Sequence, residues 1–393
     1  MGCFKILIEE IRRDTMTILL VDDNKVNLFV MEKILKSAGY DNCVSLTSAQ
    51  ALYDYLKIDE LKYKPDSVDL ILLDIMMPEI DGIEACRTIR RDERYKNIQI
   101  LFTTALDDKK KLSEALGAGG NDYITKPINK TELLARMDVA LRLKQELDWH
   151  MIHDEKIENE LNLAAHVQRS LLSEPFTGDK LAVQVAYKPS FNLAGDMYYW
   201  EQIDEDRYAV MLFDMMGHGI SASLVCMFIS SALRDSVKKR VKPAEVMIEL
   251  NRYMSLLHTD KEKIPYYFTG VYMLINTKEK TIEYVNAGHP HGYVWLNEEE
   301  LVHLNNNSCA IGFFDDIDVK SQTISYESSA QIILFTDGVL EAMHPDEFEA
   351  ERRMDKLATQ TLSLDKPLLD YVIPREQQEN QPDDMCMLVI QAN

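Results

Sequence analysis

Two stretches of the sequence share a pattern: LILLDIMMP (residues 70–78) and VMLFDMMGHG (residues 210–219). In each, an apolar run ends at an aspartate that is followed closely by two methionines. Short apolar runs of this kind are typical of buried strands. The first stretch lies among alternating strand-like and helix-like segments, whereas the second lies among strand-like runs that pair as hairpins. We therefore expect two domains of different fold class, each with an aspartate at a strand end.

The composition of the chain is consistent with two cores. With 393 residues, 46% of them apolar, it predicts a first domain at 16–140, a helical linker at 141–175 and a second domain at 176–393. The net charge of −22 argues against a nucleic-acid partner. Six scattered cysteines without a CxxC pair favour the cytoplasm, and the apolar runs are too short to cross a membrane.

The first domain is predicted to be a parallel sheet covered by helices on both faces. Its strand-like runs lie at 17–22, 68–74, 98–104 and 122–126, between helical segments such as 26–38 and 83–93. In such a sheet polar residues meet at the carboxyl ends of the strands, here Asp22, Asp23, Asp74, Thr104 and Lys126. Two carboxylates about 4 Å apart repel by roughly 4 kcal/mol at an effective dielectric of 20, so the cluster predicts a divalent cation such as Mg²⁺.

Four motifs carry a resemblance to the CheY-like receiver domains of two-component response regulators. They are LLVDDN (19–24), LLDIMMPEIDG (72–82), FTTALDD (102–108) and NDYITKP (121–127). The resemblance implies a five-stranded, flavodoxin-like parallel sheet. It also implies that Asp74 accepts a phosphoryl group from a cognate histidine kinase or phosphotransfer protein, and that Asp22 and Asp23 hold Mg²⁺ together with Asp74.

The same resemblance assigns the remaining residues of this edge. Lys126 and the hydroxyl of Thr104 would bind the phosphoryl oxygens, with Thr103 as the neighbouring candidate. Tyr123 would be the switch aromatic, and Lys126-Pro127 is a candidate cis peptide bond. The methionines at 76 and 77 are interpreted as loop packing.

The connector is helix-prone from about 131 to 174 and nearly free of Gly and Pro. Its narrow apolar seam predicts either a homodimeric coiled coil or a lever helix packed on its own domains. His153 is interpreted as a surface residue, because no kinase motif follows it. The seam consists of Leu134, Met137, Leu141, Leu147, Met151, Ile157, Leu161, Ala165 and Leu172.

The second domain is predicted to be antiparallel sheet covered by helices at about 219–238, 243–257 and 348–372. The turn of its first hairpin is centred on Glu205, so antiparallel pairing sets Asp196 opposite Asp214.

A second pair of strands brings further carboxylates to this locus. The strand that ends near Asp337 is expected beside the one that follows Asp383 and Asp384. No Lys or Arg accompanies these motifs, so the cluster predicts a two-metal centre that activates water against a phosphoester.

Seven ordered motifs then show that residues 160–393 resemble the PPM family of metal-dependent serine/threonine phosphatases, in the bacterial branch typified by RsbU and SpoIIE. The motifs are HVQRSLLSEP (166–175), FNLAGDMYYW (191–200), FDMMGHGISAS (213–223), YFTGVY (267–272), YVNAGHPHGYV (284–294), LFTDGVLEA (334–342) and QPDDMCMLVI (381–390). The resemblance implies an antiparallel β-sandwich flanked by helices.

Carried over by position, the resemblance makes Asp214 the carboxylate that bridges two Mn²⁺ or Mg²⁺ ions, beside the backbone carbonyl of Met215. Asp196, Asp337 and Asp383 complete the set, with Asp384 as the alternative to Asp383. Further residues of these motifs border the site: Gly217 and Gly219 as turn formers, and His218, Asn286, Gly288 and His289 without assigned roles. The chain departs from the family at Ala194, where Gly is usual, and at Cys386, where Thr is common.

The sequence as a whole predicts a cytoplasmic response regulator whose output is a protein phosphatase gated by phosphorylation of Asp74. The resemblance points to a phosphorylated anti-anti-sigma factor of the STAS type as substrate, in a partner-switching pathway. The alternative is a non-catalytic adaptor that binds a regulator of a sigma factor under control of the receiver. Loss of metal ligands would be its signature, and every expected acidic position is filled.

Overall fold

The structure is a computed structural model that describes residues 15–58, 60, 68–105, 109–217, 219–257, 266–363, 366–378 and 381–393. The chain divides into two compact units, one ending at Ile157 and the other beginning at Glu158. The boundary falls inside a long helix.

The first unit is built on a five-stranded parallel sheet. Its strands are β1 (Ile18–Val21), β2 (Cys43–Leu46), β3 (Leu70–Asp74), β4 (Gln99–Thr104) and β5 (Asp122–Thr125). They are arranged in the order β2-β1-β3-β4-β5, and every pairing is parallel. The described helices are α1 (Lys25–Lys36), α2 (Ala49–Leu56), α3 (Gly82–Arg90) and α4 (Lys109–Gly117), and a 3-10 turn covers Glu93–Tyr95. The predicted fold class of this domain is confirmed.

Both faces of this sheet are buried, as continuous apolar strands require. Leu19 and Val21 enter one core, whereas Ile18 and Leu20 enter the core on the opposite face. This alternation leaves the strand ends to carry the polar residues. At the first of these ends the side chain of Asn24 accepts a hydrogen bond from Val26 N–H and starts α1 directly after Asp22 and Asp23.

Helix α5 (Lys130–Arg169) forms the connector. Its first turns pack on the parallel sheet of the first unit, where Leu133, Met137 and Leu141 are buried. Every residue from 149 to 160 is exposed. The beginning of the predicted seam therefore packs in cis, and pairing of the exposed middle in a homodimer stays a prediction.

The second unit contains two antiparallel sheets. The strands are β6 (Phe176–Thr177), β7 (Leu181–Lys188), β8 (Asp196–Gln202), β9 (Arg207–Met215), β10 (Phe268–Asn276), β11 (Thr281–Ala287), β12 (Gly292–Leu296), β13 (Glu300–Leu304), β14 (Gln322–Ser325), β15 (Ala330–Phe335) and β16 (Met385–Ala392). One sheet has the order β14-β11-β10-β9-β8, and the other has the order β13-β12-β15-β16-β7-β6. The helices are α6 (Ile220–Lys239), α7 (Pro243–Ser255), α8 (Asp337–Met343) and α9 (Glu347–Ala358).

The alternation along the strands shows how these layers pack. Leu212 of β9 and Leu334 of β15 share one buried cluster, which lies between the two sheets. Phe213, the next residue of β9, packs instead with Cys226 and Leu233 of α6. Phe335 packs with residues of α8 and α9. The second unit is therefore a sandwich of two sheets with helices on both outer faces, as the sequence predicts.

Helix α6 is long and apolar enough to span a membrane, with a mean hydropathy of 1.3, but 56% of that apolar window is buried in the domain. Its contacts with β8 and β9 are those of a core helix.

The predicted helix at 348–372 is wrong in its second half. Helix α9 ends at Ala358, and the chain continues to a 3-10 turn at Leu368–Tyr371. The intervening residues include Thr359, Thr361 and Pro367, which are poor helix formers. The apolar spacing misled the prediction because Leu362 enters the core from irregular chain.

Candidate functional sites

The first candidate site lies at the carboxyl edge of the parallel sheet. Asp22, Asp23 and Asp74 each have a carboxylate oxygen within 4.8 Å of the others. Asp22 is fully buried and Asp74 is 4% exposed, whereas Asp23 is open to solvent. The sheet therefore brings together the three carboxylates that the sequence predicts.

Lys126 joins two of these carboxylates. Its Nζ atom lies 2.8 Å from Oδ2 of Asp22 and 2.9 Å from Oδ2 of Asp74. Burial raises the pKa of Asp74, and the lysine only partly offsets that effect. Burial works against the charged form of Lys126, yet hydrogen bonds to Asp22 and Asp74 leave the pKa of the lysine raised. Three carboxylates thus face one ammonium group, and a divalent cation would neutralise the remainder.

Neighbouring residues fix the geometry of this edge. Asn27 Nδ2 donates to both carboxylate oxygens of Asp22, at 3.1 and 3.0 Å. Gly82 packs against the main chain of Asp74 so closely that a Cβ atom there would lie 2.1 Å from the Asp74 carbonyl oxygen. The Lys126-Pro127 peptide bond is cis.

The other predicted residues lie nearby with different degrees of exposure. Thr103 and Thr104, at the end of β4, are both buried, and Thr103 is the register partner of Asp74. Tyr123 is half-buried, with the Arg136 guanidinium 5.4 Å from its ring centre. Met77 packs in the core, whereas Met76 is 54% exposed. The interpretation of the two methionines as packing residues therefore holds only for Met77.

The second candidate site begins at the hairpin of β8 and β9. The strands pair in the register that the sequence predicts, with Asp196 directly opposite Asp214. Asp196 is buried at 2% exposure, whereas Asp214 is half-buried.

The pairing of β15 with β16 brings the remaining acidic residues to the same place. Thr336 follows β15, and its N–H donates to the carbonyl of Cys386. Its hydroxyl donates to Oδ2 of Asp196 at 2.6 Å and accepts from the Cys386 N–H at 3.0 Å. Asp337 and Asp383 flank this junction, and the negative charge of each raises the pKa of Asp214.

Asp383 and Asp384 have different surroundings. Asp384 is 4% exposed, and its carboxylate accepts hydrogen bonds from the N–H and hydroxyl of Ser190 and from the N–H of Gly195. Asp383 is half-buried and accepts from the Asp384 N–H at 2.8 Å. Both oxygens of Asp384 are thus engaged by donors, and this arrangement favours Asp383 as the cation ligand.

Among the residues that the structure describes, no protein cation compensates the charges of the second site. Burial and then Asp214 raise the pKa of Asp196, and burial, Asp337 and Asp383 raise that of Asp214. Burial and Asp383 also raise the pKa of Asp337. Within the described ranges no Lys or Arg pairs with these carboxylates, so hard divalent cations fit the donor set.

The border residues have structural contacts. Since a carbonyl only accepts, His289 Nε2 donates to Phe335 O at 3.1 Å, and its Nδ1 accepts from the Thr269 hydroxyl at 2.9 Å. Asn286 Oδ1 accepts from His289 N–H, and Gly288 has a φ of 70°. The imidazole of His289 thus links Thr269, which is the register partner of Asp214, to Phe335 at the end of β15.

The loops around Asp214 show which motif residues are structural. Gly217 and Gly219 have φ angles of 84° and 85°, as expected for tight turns, and His218 lies outside the described residues. The Met215 N–H donates to Gly195 O, and Met215 is buried. The methyl group of Ala194 and the side chain of Cys386 are fully buried, so both departures are accommodated in the core.

Sequence reasoning missed two residues that organise the site. The hydroxyl of Thr336 contacts Asp196, and the side chain of Gln168 contacts the loop before Asp196. Gln168 stands in the motif HVQRSLLSEP, three positions after Ala165 and four before Leu172, so the available signal was a polar residue at an apolar-periodic position of the predicted helix.

Comparisons with known proteins match both halves of the chain. Residues 18–138 match the family model for the response regulator receiver domain, and residues 204–393 match that for stage II sporulation protein E, SpoIIE. The phosphoserine phosphatase RsbP of Bacillus subtilis is 31% identical over 245 residues, which cover 59% of this chain and 58% of RsbP. The uncharacterized transcriptional regulatory protein YrkP of the same organism is 38% identical over 143 residues, which cover 36% of this chain and 54% of YrkP.

Among solved structures, the SiaA-PP2C domain of Pseudomonas aeruginosa matches with 19% identity and a TM-score of 0.49, over 61% of this chain and 99% of that domain. The chain spans little more than half the length of the curated relatives named above.

Proposed function

Because residues 18–138 form a response regulator receiver domain and residues 204–393 form a PPM-type phosphatase domain of the SpoIIE family, we propose that the chain is a response regulator with a phosphatase output. The output is metal-dependent removal of phosphate from phosphoserine or phosphothreonine on another protein. The main support is the pairing of Asp196 with Asp214 beside Asp337 and Asp383, a carboxylate set that lacks a basic partner in the described chain.

The phosphatase residues are proposed to act by holding cations in place. Asp196, Asp214, Asp337, Asp383 and the carbonyl of Met215 would hold two Mn²⁺ or Mg²⁺ ions. When bound, such ions activate water and stabilise the charge that develops on a phosphoryl group. The chain holds its ligands through strand pairing, through the Thr336 hydroxyl on Asp196 and through the Asp384 carboxylate on Ser190 and Gly195.

The receiver residues are proposed to act on a different phosphoryl group. A carboxylate oxygen of Asp74 forms a bond to phosphorus while the bond to the donor histidine nitrogen breaks. Mg²⁺ would be held by Asp22, Asp23 and Asp74. Lys126 already contacts Asp74, and Lys126 and Thr104 are proposed to stabilise the added negative charge.

The proposed setting follows from the relatives and from the charge of the chain. RsbP is described as a phosphoserine phosphatase, which supports a phosphoserine protein as the substrate class. A phosphorylated STAS-type protein in a partner-switching pathway is the proposed substrate within that class. Phosphorylation of Asp74 is proposed to reach the phosphatase through the linker at 141–175, whose exposed helix also offers a homodimer contact. Strong negative charge argues against a nucleic-acid partner, and the cytoplasm is the proposed location.

The test is hydrolysis of p-nitrophenyl phosphate and of a phosphoserine protein by the full chain with Mn²⁺, with and without beryllofluoride as a mimic of phospho-Asp74. We expect Mn²⁺-dependent turnover that beryllofluoride changes, and we expect Asp337→Asn to abolish it. Asp318→Asn is the matched control, because Asp318 is an 81% exposed aspartate of the same domain. Full turnover in Asp337→Asn would contradict the metal assignment, and no wild-type turnover on either substrate would favour the adaptor.

A further inference from the structure

A group of metal-binding residue types that neither acidic site uses lies in the second unit, between a hairpin and a helix. His291 immediately precedes β12, and His303 of β13 is the register partner of Tyr293. Glu351 and Asp355 lie one turn apart on α9. The fold therefore brings two imidazoles, two carboxylates and a phenol together on an outer face of the sandwich.

The two imidazoles and the two carboxylates face each other in pairs. His291 Nδ1 lies 3.9 Å from Glu351 Oε1, and His303 Nε2 lies 3.4 Å from Asp355 Oδ1. The two rings stack, with centres 4.8 Å apart and planes inclined by 15°. His291 Nε2 also lies 3.0 Å from the hydroxyl of Tyr293. Each imidazole thus has a carboxylate beside it and the other imidazole against its face.

These contacts leave the carboxylates incompletely satisfied. Asp355 Oδ1 is buried and makes no hydrogen bond among the described residues, although His303 lies close to it. The separation of 3.9 Å between His291 and Glu351 is too long for a hydrogen bond. In the part of the chain that the structure describes, no Lys or Arg pairs with either carboxylate. A buried carboxylate oxygen without a donor costs free energy, which a bound cation would recover.

The surroundings of His291 favour the form of imidazole that binds a metal. Burial and then the neighbouring His303 lower the pKa of His291, and they outweigh the opposite effects of Glu351 and Asp355. A metal ion binds neutral imidazole, because protonation occupies the lone pair that the ion requires. The ring is therefore available as a ligand at neutral pH.

The donor set selects a different kind of ion from the two acidic sites. Imidazole nitrogen together with carboxylate oxygen is a typical set for Zn²⁺ and the later first-row transition metals, whereas oxygen ligands alone suit Mg²⁺ and Mn²⁺. In the described chain no three ligand atoms of this group all lie within 4.8 Å of one another, so the stacked rings do not yet converge. The side chains of His291 and His303 are 26% and 37% exposed, which leaves the rings room to tilt.

We propose that His291, His303 and Asp355 bind one Zn²⁺ ion or a similar transition-metal ion. The two rings tilt toward Asp355 when the ion binds, and Glu351 supplies the fourth ligand. The ion then ties α9 to the hairpin of β12 and β13. This site is separate from the proposed phosphatase centre and stands whether or not that centre is active.

The experiment uses the full chain without an affinity tag, stripped with EDTA and exchanged into excess Mg²⁺, which competes for the sites made of oxygen ligands alone. Zn²⁺ binding is measured by calorimetry and by thermal unfolding. Cu²⁺ serves as a second probe, because nitrogen coupling in its electron paramagnetic resonance spectrum reports imidazole ligands directly. The variants are His291→Gln and His303→Gln. His153→Gln is the matched control, because His153 is exposed and lies three positions after His150, a second source of nitrogen ligands.

We expect a Zn²⁺ site in the wild type and Cu²⁺ coupled to imidazole nitrogen. Zn²⁺ at 100 times its Kd should raise the melting temperature of the second domain by about 5–10 °C. Loss of a group that only orients a metal ligand already weakens binding by about 10- to 100-fold, so each variant at 291 or 303 should weaken Zn²⁺ binding by at least about tenfold. Both variants should also lose nitrogen coupling, and His153→Gln should match the wild type.

The proposal is overturned if Cu²⁺ bound to the wild type shows no nitrogen coupling, or if both variants at 291 and 303 bind Zn²⁺ as the wild type does. Loss of Zn²⁺ binding in His153→Gln would also overturn it, because the nitrogen ligands would then come from the connector helix. None of these measurements uses turnover, so failure of the proposed phosphatase function is distinguishable and leaves the result intact.

Discussion

The contrast between Asp383 and Asp384 gives the sharpest test of the second site, because two adjacent aspartates should respond in opposite directions to the same change. Asp383→Asn keeps the side-chain oxygen that accepts from the Asp384 N–H, so it loses no hydrogen bond. It removes a charge that acts on both Asp214 and Asp337. Two carboxylates about 6 Å apart repel by roughly 3 kcal/mol at an effective dielectric of 20, so the metal-free variant should gain about 1–3 kcal/mol in free energy of unfolding.

Asp384→Asn should instead destabilise the metal-free protein. The new amide oxygen can keep the two Ser190 donors, but the amide nitrogen then faces the N–H of Gly195. One hydrogen bond to a charged acceptor, worth about 1.5–3 kcal/mol, is lost, and an unpaired buried N–H adds about 1–3 kcal/mol. Relief of repulsion within the cluster offsets about 1–3 kcal/mol of this, which leaves a net loss of about 2 kcal/mol.

The assay is urea unfolding of the full chain in EDTA, followed by tryptophan fluorescence and circular dichroism, with the second-domain transition compared among the wild type and both variants. The two variants should differ by about 3–5 kcal/mol in free energy of unfolding, on the magnitudes above. Addition of Mn²⁺ should stabilise Asp384→Asn but not Asp383→Asn. The assignment of Asp383 as ligand and Asp384 as support is refuted if Asp383→Asn destabilises the metal-free protein or if the two variants behave alike.

Two further predictions concern positions outside the ligand set. Gly82→Ala should destabilise the receiver by at least about 1–3 kcal/mol in thermal unfolding, because its Cβ would collide with the Asp74 main chain; Gly117→Ala, with open space around the new atom, is the control and should be neutral or stabilising. Burial lowers the pKa of His289 from 6.5 to about 4, so the unfolded state takes up the proton first and stability is lost as pH falls through this window. The excess stability of wild type over His289→Gln in EDTA should therefore shrink by about 3 kcal/mol between pH 7 and pH 4 in urea unfolding, and a constant difference would contradict a neutral buried imidazole.

The sequence allowed the prediction of those features that follow from strand periodicity and chain direction. The apolar runs that end at Asp74 and Lys126 predict the parallel edge at which the two side chains meet. The hairpin turn at Glu205 predicts the register that pairs Asp196 with Asp214. In both cases a local rule fixes where a side chain lies, so a long-range contact follows from short-range pattern.

Contacts made by single side chains across the fold could not be predicted in this way. Gln168 and Ala194 are 26 positions apart, and Ser190 and Asp384 are 194 apart. Neither pair belongs to a repeating pattern, because each depends on how a loop is threaded. The error in the second half of the helix predicted at 348–372 has a related cause. The apolar spacing correctly indicated that Leu362 is buried, but it did not indicate that the backbone there is irregular rather than helical.

The two stretches in which an aspartate precedes two methionines show how topology gives similar local sequences different chemistry. Asp74 ends a parallel strand, so its neighbours are the ends of other parallel strands, and one of these supplies Lys126 as a fixed cation. Asp214 lies near the end of an antiparallel strand, so its neighbour is Asp196 at the start of the preceding one. A carboxylate that already has an ammonium group beside it can receive a phosphoryl group and share the added charge with that lysine. A carboxylate that faces another carboxylate without a lysine beside it, as Asp214 faces Asp196, is instead proposed to share metal cations with that neighbour.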